Sequence, residues 1–255
     1  MKFHFRQIVL LALLCCLFVG AQAQQVLRIG IEGEYPPFNQ IDQDGNLVGF
    51  DVDISRALCA QMKTECKFVV QSWSGIIPAL LANKSDLIVS SMAITDKRKE
   101  SLAFSQPYYM ESAIFVAAKN HPLLTTVAGL KGKVIGVQSA TTYEKMLKEL
   151  FPGVTVRVYS AVSDHNLDLQ SGRIDAVLGS NLVMSNWLAS ADGKNYEIKG
   201  AAFRDQKFMG QGAGIAARKT DTQLIGRVNA ALQAIHQNGQ FDAISKKYFK
   251  IDITH

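Results

Sequence analysis

The sequence predicts an α/β fold divided into two lobes. Short β-type apolar runs alternate with segments of helical period through the chain, and the alternation runs through two cycles. Several of the β runs, such as "DLIVSS", are apolar at successive positions, as expected of parallel strands covered on both faces.

The elements follow in order. Lys2 and Arg6 precede an apolar run, "IVLLALLCCLFV", and an A-x-A sequence at Ala21-Gln22-Ala23. This predicts a secretory signal removed after Ala23. The apolar run is short for a membrane span, which takes about 20 residues. A lipoprotein reading of Cys15 or Cys16 meets Leu14 where a small residue is expected. The mature chain, Gln24–His255, then has 255 − 23 = 232 residues.

"VLRIGIEG" reads as a strand, and "NLVGFDVD", after the turn "DQDG", as a hairpin or extended segment. "DVDISRALCAQM" places apolar residues at 52, 54, 58 and 62, a helical spacing with Asp51 as its expected N-cap. "KFVVQ" reads as a strand, "SGIIPALLANK" as a helix broken or kinked near Pro78, and "SDLIVSSM" as a strand. The second cycle starts with strands "SAIFVAAK" and "LKGKVIGVQ", then the helix "TTYEKMLKELF". Strands "TVRVYS" and "IDAVLGS" flank a helix, "SDHNLDLQSG"; "LVMSNWLAS" is helical. A glycine-rich strand, "GQGAGIAARK", leads to two closing helices, "LIGRVNAALQAIHQNG" and "QFDAISKKYF". The predicted division is 24–112 with 210–255 for the first lobe and 113–209 for the second. Strands near 113–118 and 209–217 are the expected crossings.

Charge and cysteine usage narrow the function classes. The signal carries two of the 27 basic residues and none of the 22 acids, so the mature net charge is 25 − 22 = +3. No polybasic tract is present, and nucleic acid is not an expected partner. The five histidines, at 4, 121, 165, 236 and 255, are too scattered to suggest a metal site. Cys59 and Cys66 remain after processing, and in an oxidising compartment they read most simply as a disulfide. No Ser-His-Asp order, metal cluster or phosphate-binding glycine loop suggests catalysis. "GQGAG" opens no helix and reads as close strand packing.

The stretch "SSMAITDKRKE" carries the main chemical signal. Ser90 and Ser91 end an apolar strand, and Arg98 follows. A solvated loop with a surface arginine would look the same. A carboxylate site would use hydroxyls, backbone N–H groups and a planar guanidinium fork that makes paired charge-assisted bonds. Thr141 and Thr142 stand at a strand-to-helix junction, where free N–H groups and the helix dipole favour an anion. Simple N-capping is compatible with the same pattern.

"GFDVDISRALCAQM" resembles the polar amino acid family of periplasmic solute-binding proteins, family 3. The resemblance extends through "YPPF" at 35–38, "IIPALLANKSDLIVSSMAITDKR" at 76–98, "LKGKVIGVQSATT" at 130–142, "SGRIDAVLGS" at 171–180 and "KKYF" at 246–249. The spacing of Cys59 and Cys66 is similar to the disulfide of the histidine- and lysine/arginine/ornithine-binding members. The resemblance implies the type II periplasmic binding protein fold, two α/β lobes joined by two crossing strands that act as a hinge.

It also implies roles. Arg98 matches the arginine that holds a ligand α-carboxylate, with Ser90 and Ser91 beside it. Tyr35 and Trp73 match aromatics on either side of the ligand side chain, whose faces also suit a cation. Glu32 falls where basic-amino-acid binders contact the distal cation. Thr141 and Thr142 match carboxylate contacts from the second lobe. The family's acid for the ligand α-ammonium is replaced by Ser180, which brings no charge. Ala93 replaces a frequent serine, and Gln138 and Tyr143 alter the second lobe's side of the pocket.

The implied function is a periplasmic receptor for a polar, basic amino acid (arginine, lysine, ornithine or histidine). It would close by hinge motion and deliver its ligand to the membrane permease of an ABC transporter. A monomer without cofactor is expected, and no enzyme. Because of Ser180, a ligand lacking a standard α-ammonium is the alternative. A cyclohexadienyl-dehydratase-like enzyme would need a general acid, and "GSNLVMSNW" contains none. A sensory ligand carrier and a surface adhesin on the same frame are the further readings.

Overall fold

The computed structural model describes residues 26–254, so the expected signal segment lies outside the described residues. The chain runs β1 (Val26–Ile31), β2 (Glu34–Tyr35), β3 (Asn39–Ile41), β4 (Leu47–Val48), α1 (Phe50–Gln61), β5 (Glu65–Val70), α2 (Trp73–Leu81), β6 (Leu87–Ala93), α3 (Asp96–Lys99) and β7 (Leu102–Phe104). It continues with β8 (Ala113–Ala118), α4 (Val127–Leu130), β9 (Val134–Gln138), α5 (Thr142–Leu150), β10 (Thr155–Tyr159), α6 (Val162–Gln170), β11 (Ala176–Ser180), α7 (Asn181–Leu188) and β12 (Tyr196–Phe203). The last elements are α8 (Gln206–Met209), β13 (Ala213–Arg218), α9 (Thr222–Gln237) and α10 (Gln240–Tyr248).

Two five-stranded sheets form, in the orders β5-β1-β6-β13-β7 and β10-β9-β11-β8-β12. The central strands β1, β5 and β6 are parallel, as are β9, β10 and β11. Each sheet has apolar cover on both faces, which accounts for the continuous apolar runs. In the first sheet, Leu27 and Ile29 pack with Phe50, Ile54, Leu58, Val228 and Leu232 from α1 and α9. Ile88 and Met92 point to the other side, against Trp73, Ile76 and Leu80 of α2. In the second sheet, Phe115, Ile135 and Val137 meet Met146 and Leu147 of α5. Val116 and Val177 meet Leu169 of α6 and Met184 of α7.

The connections between sheets differ in detail from the sequence expectation. β8 lies within the second sheet and β13 within the first. The chain crosses just before each of them, through residues 105–112 and 204–212, and an antiparallel bridge between Tyr109 and Ala213 joins the two crossings. Gly212 lets them approach. Its φ is +99°, and a Cβ there would stand 2.7 Å from the Tyr109 carbonyl oxygen.

Three local expectations are corrected. Gly49, not Asp51, is the N-cap of α1, and the Asp51 side chain is buried in a polar network instead. α2 runs through Pro78 to Leu81, so the helix is not broken there. β12 was missed because its exposed edge pattern lacks a continuous apolar run. The expected disulfide is present: Cys59–Cys66, with Cα atoms 5.9 Å apart, ties the last turn of α1 to β5.

Candidate functional site

The carboxyl ends of β1, β6 and β9 converge on a narrow, partly enclosed cleft between the sheets. Strand ends in α/β sheets commonly form such sites, because loops there present side chains and backbone groups to one point.

The first wall is built on β6. Ser90 Oγ accepts hydrogen bonds from the Glu32 N–H at 3.1 Å and from Asn39 Nδ2 at 3.4 Å. Ser91 stands at φ +52°, a left-handed conformation unusual for serine. Its hydroxyl donates to Asp51 Oδ2 at 3.0 Å, and its N–H donates to the Tyr108 hydroxyl at 3.2 Å. Asp51 also accepts from the Tyr108 hydroxyl at 2.7 Å and from Asn39 at 3.0 Å. Burial pushes the Asp51 carboxyl up to about 6, against the pull of these donors. The network fixes the strand bend that brings Ser90, Ser91 and Ala93 to the cleft.

Arg98 enters from α3, whose first turn is capped by Thr95. Its Nη1 donates to the Ala93 carbonyl at 3.0 Å, and its guanidinium carbon lies 5.3 Å from the Trp73 ring centroid. Desolvation lowers the guanidinium to about 10, so it remains a cation at neutral pH. No carboxylate pairs with it among the described residues. A part-buried cation so placed is a ready anion site.

The second wall is built on β9 and α5. Gln138 Nε2 donates to Glu32 Oε1 and, at 3.2 Å, to the Ser160 carbonyl. Trp73 Nε1 donates to the Ala140 carbonyl at 3.3 Å. These bonds join the two walls directly. Thr141 caps α5, accepting from the Glu144 N–H at 3.2 Å while donating to the Gln138 carbonyl at 2.7 Å. Glu32 is 4% exposed. Burial pushes its carboxyl up to about 8; Gln138 opposes the shift and nearby Glu34 adds to it.

Ser180 differs from its expected position. Eleven of the twelve predicted site residues line the cleft, namely Glu32, Tyr35, Trp73, Ser90, Ser91, Ala93, Arg98, Gln138, Thr141, Thr142 and Tyr143. Ser180 lies behind the lining. It caps α7 and donates to Glu111 Oε1 at 2.8 Å. Glu111 comes from the first crossing and lines the cleft together with Ala213 from the second. Its carboxylate also accepts from the Ser112 N–H at 3.1 Å and from the Tyr109 hydroxyl at 3.1 Å. The Tyr35 and Tyr143 hydroxyls complete this cluster, close to one another and to Ser180, with Tyr143 also reaching Glu111. Burial pushes Glu111 up to about 7 and both phenols well above their usual range.

Sequence reading missed Glu111 and Ala213. A signal for Glu111 existed: it is the sole Asp or Glu between Ser101 and Tyr143, set among aromatic and apolar residues. The absence of acids in "GSNLVMSNW" understated the carboxylates around Ser180, since Glu111 is supplied from a distant segment.

Two α/β lobes joined by paired crossings, with a polar cleft between them, define the class of two-lobed solute-binding proteins. The chain belongs to the bacterial extracellular solute-binding proteins, family 3, and matches that family over residues 27–251. It is 44% identical over 234 residues to the L-arginine-binding protein of Pseudomonas aeruginosa, covering 91% of this chain and 90% of that one. A Salmonella typhimurium periplasmic binding protein of high arginine specificity superposes with a TM-score of 0.83 at 32% identity, over 89% of this chain and 100% of the other. An ancestral amino acid-binding protein, a precursor of cyclohexadienyl dehydratase, superposes at 0.80 with 30% identity, over 88% of this chain and 96% of its own.

Proposed function

We propose that this protein is a periplasmic receptor for a cationic amino acid, with arginine the first candidate, and that it delivers its ligand to the permease of an ABC transporter. One observation carries the reading. Among the described residues, a guanidinium without a carboxylate partner, Arg98, and a buried carboxyl without a basic partner, Glu32, line one cleft. A ligand with a carboxylate at one end and a cation at the other complements both. Trp73 beside Arg98 and Tyr35 supply aromatic surface for an aliphatic stem. Names of relatives point the same way. The closed contacts between the walls suit capture by hinge closure, in which ligand contacts to both lobes favour the closed state. The mature protein acts as a monomer, needs no cofactor and performs no chemistry.

The test is calorimetric titration of refolded, ligand-stripped protein with arginine, lysine, ornithine, histidine and glutamine. Arginine, lysine or ornithine binds most tightly, and Glu32→Gln weakens these ligands while sparing glutamine. Equal losses for cationic and neutral ligands would remove Glu32 from the side-chain role.

One observation favours a second reading. A buried carboxyl near neutrality, as Glu111 is, suits a general acid. Incubation with prephenate decides it: phenylpyruvate formation supports a dehydratase, and none leaves the receptor.

A further inference from the structure

We infer that Glu111 receives the ligand's α-ammonium in this chain, taking the place of the acid missing at position 180. The inference rests on the amino acid reading above and identifies how that site selects its ligand.

The position of Glu111 is the first argument. It lines the same cleft as Arg98, and it touches Ser180 through a 2.8 Å hydrogen bond. The negative charge expected on residue 180 is therefore present one side chain away, carried by another segment. Its orientation is the second. Donors from Ser180, Ser112 and Tyr109 hold its two oxygens in place, and the Tyr143 hydroxyl also reaches them. An ionised carboxylate has about four acceptor sites, so an arriving ammonium N–H takes the one that the Tyr143 hydroxyl reaches in the ligand-free cleft.

The third argument is charge. Glu111 is 8% exposed, and no cation offsets it among the described residues. A buried carboxylate without a counter-charge is costly, and the group is held nearer neutrality until one arrives. Ser180 cannot fill the role itself. Its proton goes to Glu111, and its oxygen faces the Val183 N–H at 3.4 Å. With Glu111 included, the cleft holds one cation and two acids. An amino acid with a cationic side chain carries one carboxylate and two cations, which complements that set group for group. Neutral amino acids would leave one acid without a partner, and deaminated acids would leave Glu111 without one.

The experiment compares arginine with 5-guanidinopentanoate, which keeps the carboxylate and the guanidinium and lacks the α-amino group. Affinities are measured by calorimetry on ligand-stripped protein, with the fold of each variant checked by circular dichroism. Wild-type protein prefers arginine by about 10- to 150-fold, the range for a charge-assisted bond. Glu111→Gln removes that preference and leaves 5-guanidinopentanoate binding within about threefold, whereas Glu32→Gln weakens both ligands. Adding Ser180→Asp to Glu111→Gln returns the preference. Equal weakening of both ligands by Glu111→Gln, or arginine binding unchanged, overturns the inference. Should Glu111→Gln fail to fold, the wild-type pair decides: no preference for the amino ligand overturns it. If wild-type protein binds glutamine and not arginine, the cationic-side-chain reading fails by itself. The same comparison with glutamine and 4-carbamoylbutanoate then tests Glu111 alone.

Discussion

Gln138, at the end of β9, donates its side-chain N–H to Glu32, at the end of β1, and so bridges the two walls of the cleft. The same amide holds the Ser160 carbonyl, which fixes its position on the second lobe. The bond has two consequences. It favours the closed arrangement, and it supplies a donor to a buried carboxyl that burial would otherwise push further from ionisation. A typical hydrogen bond contributes about 1 kcal/mol net. Gln138→Ala is therefore expected to weaken every ligand by about five- to tenfold, with cationic and neutral ligands affected alike. Ligand-free Gln138→Ala should also have a larger radius of gyration in solution scattering than ligand-free wild type. Unchanged affinity together with an unchanged radius would remove Gln138 from any part in closure.

Arg98 separates stability from binding. Its guanidinium is desolvated, donates to the Ala93 carbonyl and lies near the Trp73 ring, with no carboxylate partner among the described residues. Such a cation costs the ligand-free fold and is compensated when an anion arrives. Arg98→Met keeps much of the stem volume and removes the charge. Its ligand-free melting temperature is expected to equal or exceed that of wild type, while binding of any amino acid falls by at least about 100-fold. Arg98→Lys keeps the charge and loses the planar fork, so it recovers only part of that affinity. A large fall in ligand-free melting temperature for Arg98→Met would show that the arginine serves the fold.

The legibility of this protein in its sequence follows from which interactions are local. Parallel strands buried on both faces read as apolar runs, so β1, β6, β9 and β11 were visible. Arg98 and the two threonines were visible because strand ends and helix starts leave a short-range pattern. β12 was not, because an exposed edge strand needs no apolar run. Asp51 was misread as an N-cap because its three partners, Asn39, Ser91 and Tyr108, come from distant segments that the fold assembles. Glu111 escaped for the same reason. Its partner at Ser180 is 69 residues away, and a one-dimensional motif carries no sign of a charge moved across that distance.

The buried acids make ligand-free stability and ligand affinity respond to pH in opposite directions. Glu32 and Glu111 are both pushed up by burial, to about 8 and about 7, from an unfolded value near 4.5. A carboxyl raised in the folded state binds its proton more tightly there than in the unfolded chain. Its contribution is thus fully present below the unfolded value and is lost as pH rises through the folded one. Two other groups act mainly at lower pH. Asp51, raised to about 6, has the same sign, and His165, lowered to about 4 by burial, has the opposite sign below about 6.5. The window from about pH 6.5 to 8.5 therefore isolates the cleft acids. Across it the ligand-free melting temperature is expected to fall. Arginine affinity is expected to rise over the same window, because an ammonium or guanidinium pairs best with an ionised carboxylate. Neighbouring groups that could shift the midpoints are Glu34 beside Glu32, and Tyr109, Tyr35 and Tyr143 around Glu111. Thermal melts and titrations at four pH values, on wild type and on the Glu32→Gln and Glu111→Gln variants, check both slopes. Each variant should flatten its share of both curves. Slopes that run in the same direction in wild type would mean that these carboxyls stay in one protonation state throughout.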